Sequence, residues 1–227
     1  MAHILPLSPL GRVASLVAAC FLVSGCSIRS MAVNKIGDAI PFGLKTMEGL
    51  LESAPKHKGL LLAASSGFVQ YAYGWVQMEG DRVEARDLAR ATELRERARK
   101  LYLRARDYGL RGLEVDVPGL REALARDPTL ALARTKKEHV PLLYWTAVGW
   151  AGAMSLKVND SDVSADQPIV EALARRALEL EEGWSLGSIH EFFVSWSSGR
   201  LTSIARAFSS SSWKCALSCF AMLTLSA

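Results

Sequence analysis

Histidine is the first candidate among the residues that could do chemistry, because imidazole is the commonest metal ligand and a frequent general base. His57, His139 and His190 lie in the central part of the 227-residue chain, and none of them belongs to a His-x-x-x-His or His-Glu-x-x-His sequence. The spacing therefore argues against a zinc hydrolase. Glu191 follows His190, but adjacent helical residues point about 100° apart and do not form a dyad, so we expect His190 to be buried and hydrogen-bonded.

Other catalytic signatures are also missing from the sequence. No Gly-x-Ser-x-Gly nucleophile elbow occurs, and Gly109 and Gly112 lie within a helical pattern rather than after a strand, as a dinucleotide loop would require. No cysteine lies between Ser27 and Trp196, which excludes a disulfide framework or a cysteine metal site there. We therefore expect a protein that is not an enzyme, with no catalytic residue, metal or cofactor.

Aromatic residues mixed with glycine and alanine form the candidate binding site. They lie in two apolar stretches, 59–78 and 141–156, and could line a cavity for an apolar or amphipathic ligand. Ordinary core packing is the alternative. The candidate lining residues, with the histidine described above, are Phe68, Tyr71, Trp75, Tyr144, Trp145, Trp150 and His190.

Both apolar stretches are predicted to be buried helices, because each is apolar or small around its whole circumference. At a spacing of 82 residues they align His57 with His139 and Gly67 with Gly149. This alignment indicates an internal repeat of helical hairpins. We expect the two helices to lie side by side and to form the inner wall of the domain.

Amphipathic helices are predicted around these two. From Leu88 to Gly112 small or apolar residues recur at steps of three and four, which is the pattern of a helix with one narrow buried seam. The sequence ALARRALELEE, 172–182, resembles the second helix of a tetratricopeptide hairpin and favours an all-α, tetratricopeptide-like α-solenoid over a four-helix bundle. The predicted helices span 81–114, 119–126, 130–137, 168–182 and 186–196.

The N-terminus has the features of a secretory leader. An apolar run at 13–23 precedes Cys26, and it is shorter than the roughly 20 residues that span a bilayer. The sequence VSGC resembles the lipobox of bacterial lipoproteins, which implies cleavage before Cys26 and lipidation of its thiol, giving a stable membrane anchor. An ordinary leader with a chance cysteine is the alternative. An Asp directly after the lipidated cysteine would retain a lipoprotein at the inner membrane. Ser27 is at that position here, which favours the outer membrane.

Charge gives no reason to expect a nucleic-acid partner. The net charge is +4, but 23 acidic residues balance 23 basic ones between Cys26 and Glu191, so the body carries no basic surplus.

We divide the chain into a signal peptide, 1–25, a helical domain, 26–196, and a tail, 197–227. The tail has no acidic residue and much serine, which indicates a changed reading frame or a truncated gene; we expect it to be disordered or non-native. A genuine short C-terminal helix is the alternative.

Several segments together resemble the TatT family, the T-component lipoproteins associated with tripartite ATP-independent periplasmic (TRAP) transporters. They cover most of residues 41–193. The segments are PFGLKTMEGLL at 41–51, GLLLAASSGFVQYAYGWVQ at 59–77, RARKLYLRARDYGLRGLE at 97–114, VPLLYWTAVGWAGAMSL at 140–156, PIVEALARRALELEEGW at 168–184 and GSIHEFF at 187–193. The chain departs from the family in a shortened first helix, 31–40, and in the tail.

The resemblance implies an all-helical, tetratricopeptide-like periplasmic lipoprotein with no established enzymatic activity. It implies an apolar cavity or channel, a homotrimer and a partner, the substrate-binding P-component of a TRAP transporter. The predicted function is therefore a membrane-anchored protein that binds this P-component, and a hydrophobic small molecule, in support of solute uptake. A tetratricopeptide scaffold that assembles envelope proteins without a ligand is the alternative, and a hydrolase is disfavoured.

Overall fold

A computed structural model describes residues 39–156 and 162–197. It divides the chain into two units, Met1–Gly43 and Leu44–Ala227. The described part of the first unit, 39–43, is helical. The predicted signal peptide, Cys26, most of the shortened first helix and all but the first residue of the predicted tail lie outside the described residues.

The second unit confirms the all-α prediction, since its described residues form helices and no strand. The tetratricopeptide-like solenoid stays a prediction. No helix in the described part of the chain has the length and apolarity needed to cross a membrane. The helices are α1 (44–53), α2 (Lys58–Tyr71), α3 (Met78–Val83), α4 (Leu88–Glu114), α5 (Leu120–Arg126), α6 (Pro128–Leu132), α7 (Val140–Ser155), α8 (Asp162–Leu180) and α9 (Ser188–Ser197).

The first apolar helix differs from its prediction near its C-terminal end. A π-helical segment, Ala72–Gln77, connects α2 to α3, so the helical path continues but one turn is wider. The backbone N–H of Met78 donates to the carbonyl of Tyr73, five residues earlier, as this geometry requires. The second apolar helix forms as predicted, with Pro141 in the first turn of α7, where its missing N–H costs no helical hydrogen bond.

The predicted helix 81–114 is wrong at its start. The chain turns after α3, and α4 begins at Leu88 because the carboxylate of Asp87 accepts the N–H of Arg90 at 2.9 Å and caps the helix. The buried seam is also wider than predicted. Leu88 is 65% exposed, whereas Tyr102 and Leu110 are buried, because α4 packs against several helices at once.

Three other boundaries differ from their predictions. α6 ends at Leu132, so residues 133–137 do not continue the predicted helix. Pro168 lies inside α8, which already begins at Asp162, before the start of the predicted helix 168–182. α9 begins after Ser185 and Leu186, which have left-handed backbone angles of φ 49° and φ 57° and end the preceding turn.

α4 is the element that most others contact. It packs against α2, α3 and α7, while α7 also contacts α2 and α8, and α8 contacts α6 and α9. The expected contact between the two apolar helices, α2 and α7, is therefore present. α4, which the sequence presents as a charged outer helix, lies against both of them.

Glycines bring α4 and α7 together at close range. A Cβ added to Gly149 would lie 3.2 Å from the backbone nitrogen of Arg106 and 3.3 Å from the carbonyl oxygen of Tyr102. On the other helix, a Cβ added to Gly109 would lie 2.1 Å from Oγ1 of Thr146. The two backbones can approach this closely only because these positions lack side chains.

Substitution of Gly109 by alanine tests this contact. Alanine is the better helix former by about 1 kcal/mol, but overpacking a tight site costs about 1–3 kcal/mol, so we expect Gly109→Ala to lower the free energy of unfolding in urea. Gly49→Ala is the control, because no atom lies within 4 Å of its Cβ position; it should raise that free energy. A stabilising Gly109→Ala, or an equal loss in a Thr146→Ala background, would contradict the packing described.

Candidate functional site

The aromatic residues predicted on the first apolar helix make two ring contacts. Phe68 is buried and stacks on Tyr108 of α4, with 5.7 Å between ring centroids. Tyr71 is buried and stacks at 6.4 Å on the half-buried Trp75 of the π-helical segment. The hydroxyl of Tyr71 accepts a hydrogen bond of 3.2 Å from Arg97. Phe68 and Tyr71 therefore contact α4, whereas Trp75 contacts Tyr71.

The predicted aromatic residues of α7 contact the elements that follow it. Tyr144 is buried against the half-buried Trp145 and Trp184, at centroid distances of 5.3 and 4.8 Å, and burial raises the pKa of the Tyr144 hydroxyl. The indole N–H of Trp150 donates to Asp166 at 2.9 Å. The guanidinium of Arg106 lies 5.0 Å from the Trp150 ring centroid, within range for cation–π attraction.

The prediction of a buried His190 is wrong. Ile189 and Phe192 are on the buried face of α9. His190 comes between them in the chain, but it lies on the opposite face of the helix. Its side chain is 51% exposed, and Nε2 lies 3.4 Å from a carboxylate oxygen of Glu182. His190 is thus apart from the buried aromatic rings.

The buried histidine is His139, which lies directly before α7. Its Nδ1 accepts the backbone N–H of Lys136 at 2.8 Å, so Nε2 carries the proton and donates it to Asp116 at 2.9 Å. Lys58, the first residue of α2, donates to the same carboxylate oxygen at 2.8 Å. These two hydrogen bonds, with Lys58 first, lower the pKa of Asp116.

The same cluster has donor atoms that could hold a metal ion. Asp116, Glu138 and His139 place one ligand atom each within 4.8 Å of one another. However, Asp116 already pairs with the Lys58 ammonium, and His139 Nε2 carries the proton that it donates to Asp116, so this nitrogen has no lone pair free for a metal. The observed chemistry is an ion-pair and hydrogen-bond network that joins the ends of α2, α4 and α7.

Two further polar contacts, one buried and one half-buried, involve tyrosines of α4. The hydroxyl of Tyr102 donates to the side-chain oxygen of Gln77, in the π-helical segment, at 2.8 Å, and both residues are buried. The hydroxyl of Tyr108 donates to the carboxylate of Glu48 at 2.8 Å. Burial and this hydrogen bond raise the pKa of Tyr108 to about 12, so both tyrosines are neutral donors at neutral pH.

We expect the Asp116 network to make stability depend on pH. The folded pKa of Asp116 lies below its model-compound value of 3.8, so its contribution is present above that pH and is lost as the pH falls through the folded pKa. Asp116→Asn should therefore lower the melting temperature at pH 7, and the difference from the unmodified protein should shrink below pH 3.8.

The matched control is Glu52→Gln, which removes one exposed carboxylate of α1. Circular dichroism melts of both variants between pH 7 and pH 2 would measure the two differences. An equal loss for Asp116→Asn at every pH would mean that the charge of Asp116 does not contribute to stability.

Comparison with known proteins identifies relatives of this chain. Residues 33–205 match the family model of the TRAP transporter T-component. The match confirms the resemblance carried by residues 41–193 and extends beyond both ends of it. An uncharacterised protein of Treponema pallidum (strain Nichols) is 29% identical over 161 residues, which are 69% of this chain and 50% of that protein. The chain thus spans about half the length of this relative.

Proposed function

The chain belongs to the TRAP transporter T-component family, and from this premise we propose that it binds the substrate-binding P-component of a TRAP transporter in support of solute uptake. The match over residues 33–205 carries the proposal, because it includes every described helix. The family's association with TRAP transporters favours the periplasmic side of the cell envelope as its location.

Attachment to the membrane through Cys26 is part of the proposal. The lipobox-like VSGC sequence supports lipidation at Cys26, and Ser27 favours the outer membrane. Acyl chains on one cysteine would hold the protein at the bilayer, while the helical domain would meet a soluble partner. We also propose a homotrimer, as the family resemblance implies.

We propose binding rather than catalysis. Both ring nitrogens of the buried His139 are engaged, one with the Lys136 backbone and one with Asp116. The buried Tyr102 hydroxyl is likewise bonded to Gln77. These bonds favour a positioning role for the buried titratable groups.

A hydrophobic ligand beside the π-helical segment is the finer proposal. A Cβ added to Gly74 would meet no atom within 4 Å, so there is space next to Trp75, which is half-buried. π-Helical turns often occur at functional sites. The ring contacts of Phe68 and Tyr144 with protein neighbours instead favour the second candidate, a scaffold without a ligand.

Native mass spectrometry of the full-length protein with the P-component from the same organism tests the function. We expect a complex with that protein and none with a solute-binding protein of an ATP-driven transporter, the control. Cys26→Ser should lose the mass of the lipid but keep the complex, because Cys26 precedes every described helix in the chain. A retained small molecule would support the hydrophobic ligand, and an empty complex the scaffold. No complex would contradict the proposed function.

A further inference from the structure

A groove of about 280 Å³ lies between the short helices α5 and α6. Leu120 and Ala131 are buried and line it together with the half-buried Ala123. Leu130, on α6, also lines the groove and is 71% exposed. An exposed leucine among the lining residues makes this an open apolar groove at the protein surface and not an enclosed channel.

Two arginines line the same groove. Arg126 is in the last turn of α5, Arg134 follows α6, and both are exposed. Neither has an ion pair or a hydrogen bond from its side chain to any residue that the structure describes, although most of the described arginines bind a carboxylate, a hydroxyl or an aromatic ring.

The one carboxylate of the groove has a structural role. Asp127 accepts the backbone N–H of Leu130 at 3.0 Å and caps α6. The lining therefore carries two guanidinium groups and one carboxylate, so a positive charge remains beside the apolar surface. Apolar area beside unpaired arginine is the composition that binding hot spots favour.

We propose that this groove docks a segment of the P-component that presents a large apolar side chain with acidic residues on both sides. The volume is at the lower limit of about 300 Å³ for small-molecule pockets, and it is large enough for an apolar side chain. The carboxylates would pair with Arg126 and Arg134, because a guanidinium group can bind a carboxylate through two parallel hydrogen bonds. This inference rests on the proposed function, since it assigns the surface through which that partner binds.

Two fluorescein-labelled peptides test the groove directly, Glu-Asp-Leu-Phe-Asp-Glu and Lys-Lys-Leu-Phe-Lys-Lys. We expect the acidic peptide to bind the full-length protein and the basic peptide to show no binding in fluorescence anisotropy. The double variant Arg126→Glu/Arg134→Glu should bind the acidic peptide at least tenfold more weakly, and Leu130→Ser should also weaken it. Each replaced side chain is exposed, so the variants should keep the circular dichroism spectrum of the unmodified protein.

Arg86→Glu is the matched control. Arg86 is also exposed, and its side chain has no hydrogen bond or ion pair to another described residue, but it lies between α3 and α4, outside the groove. Its reversal changes the net charge by the same amount per site and should leave peptide affinity within twofold. Equal losses for Arg86→Glu and for the groove variants would overturn the proposal, because net charge alone would then explain the binding.

Titration with the P-component separates the two proposals. A tenfold loss of affinity in Arg126→Glu/Arg134→Glu supports the groove, and unchanged affinity overturns it while leaving the proposed function intact. If the unmodified protein does not bind the P-component, the proposed function fails, and so does the assignment of this groove to that partner. Decanoate, a fatty-acid anion, tests whether the groove binds a lipid-like small molecule instead. If decanoate bound at the groove and the acidic peptide did not, the proposal would likewise be overturned.

Discussion

The close approach of α4 and α7 is the constraint on which the other packing depends. Gly149 brings α7 against the main chain of α4, and Gly109 leaves room for Thr146. α2 contacts both helices, and at this crossing it contributes the small residue Ser65, whose hydroxyl is buried without a hydrogen-bond partner in the described part of the chain. An unpaired buried hydroxyl is costly. This hydroxyl oxygen would lie only 3.1 Å from a Cβ added to Gly109, which shows how little space the crossing leaves.

This crossing also explains where specific contacts occur. The Lys58–Asp116–His139 network joins the ends of the three helices that meet there, so it fixes the register of their termini as the glycines fix their spacing. Phe68 of α2 contacts Tyr108 of α4, and Trp150 of α7 contacts Arg106 of the same helix. α5 and α6 are short, lie between α4 and α7 in the chain and expose apolar and cationic side chains, so they can carry a binding surface without disturbing the crossing.

Local sequence patterns predicted most of the helices. The features that were not predicted depend mainly on contacts between residues that are far apart in the chain. α7 follows from a continuous apolar run, and α5, Leu120–Arg126, lies within the predicted range 119–126. The π-helical segment has no comparable signal, because its hydrogen bonds skip one residue more than those of an α-helix. The prediction of which histidine is buried was also wrong. His139 is buried and bonded to Asp116, 23 residues away in the chain, which no local pattern shows. His190 faces solvent because α9 buries Ile189 and Phe192 instead.

Native-state hydrogen exchange, read by mass spectrometry, tests the central role of the crossing most directly. Amides of α4 around Gly109 and of α7 around Gly149 should exchange only through global unfolding, with the same free energy, because neither helix can open without the other. Amides of α5 and α6 should exchange earlier, through local opening. If the amides around Gly109 exchanged as readily as those of α5, the contact between α4 and α7 would not be the constraint that holds the other helices in place.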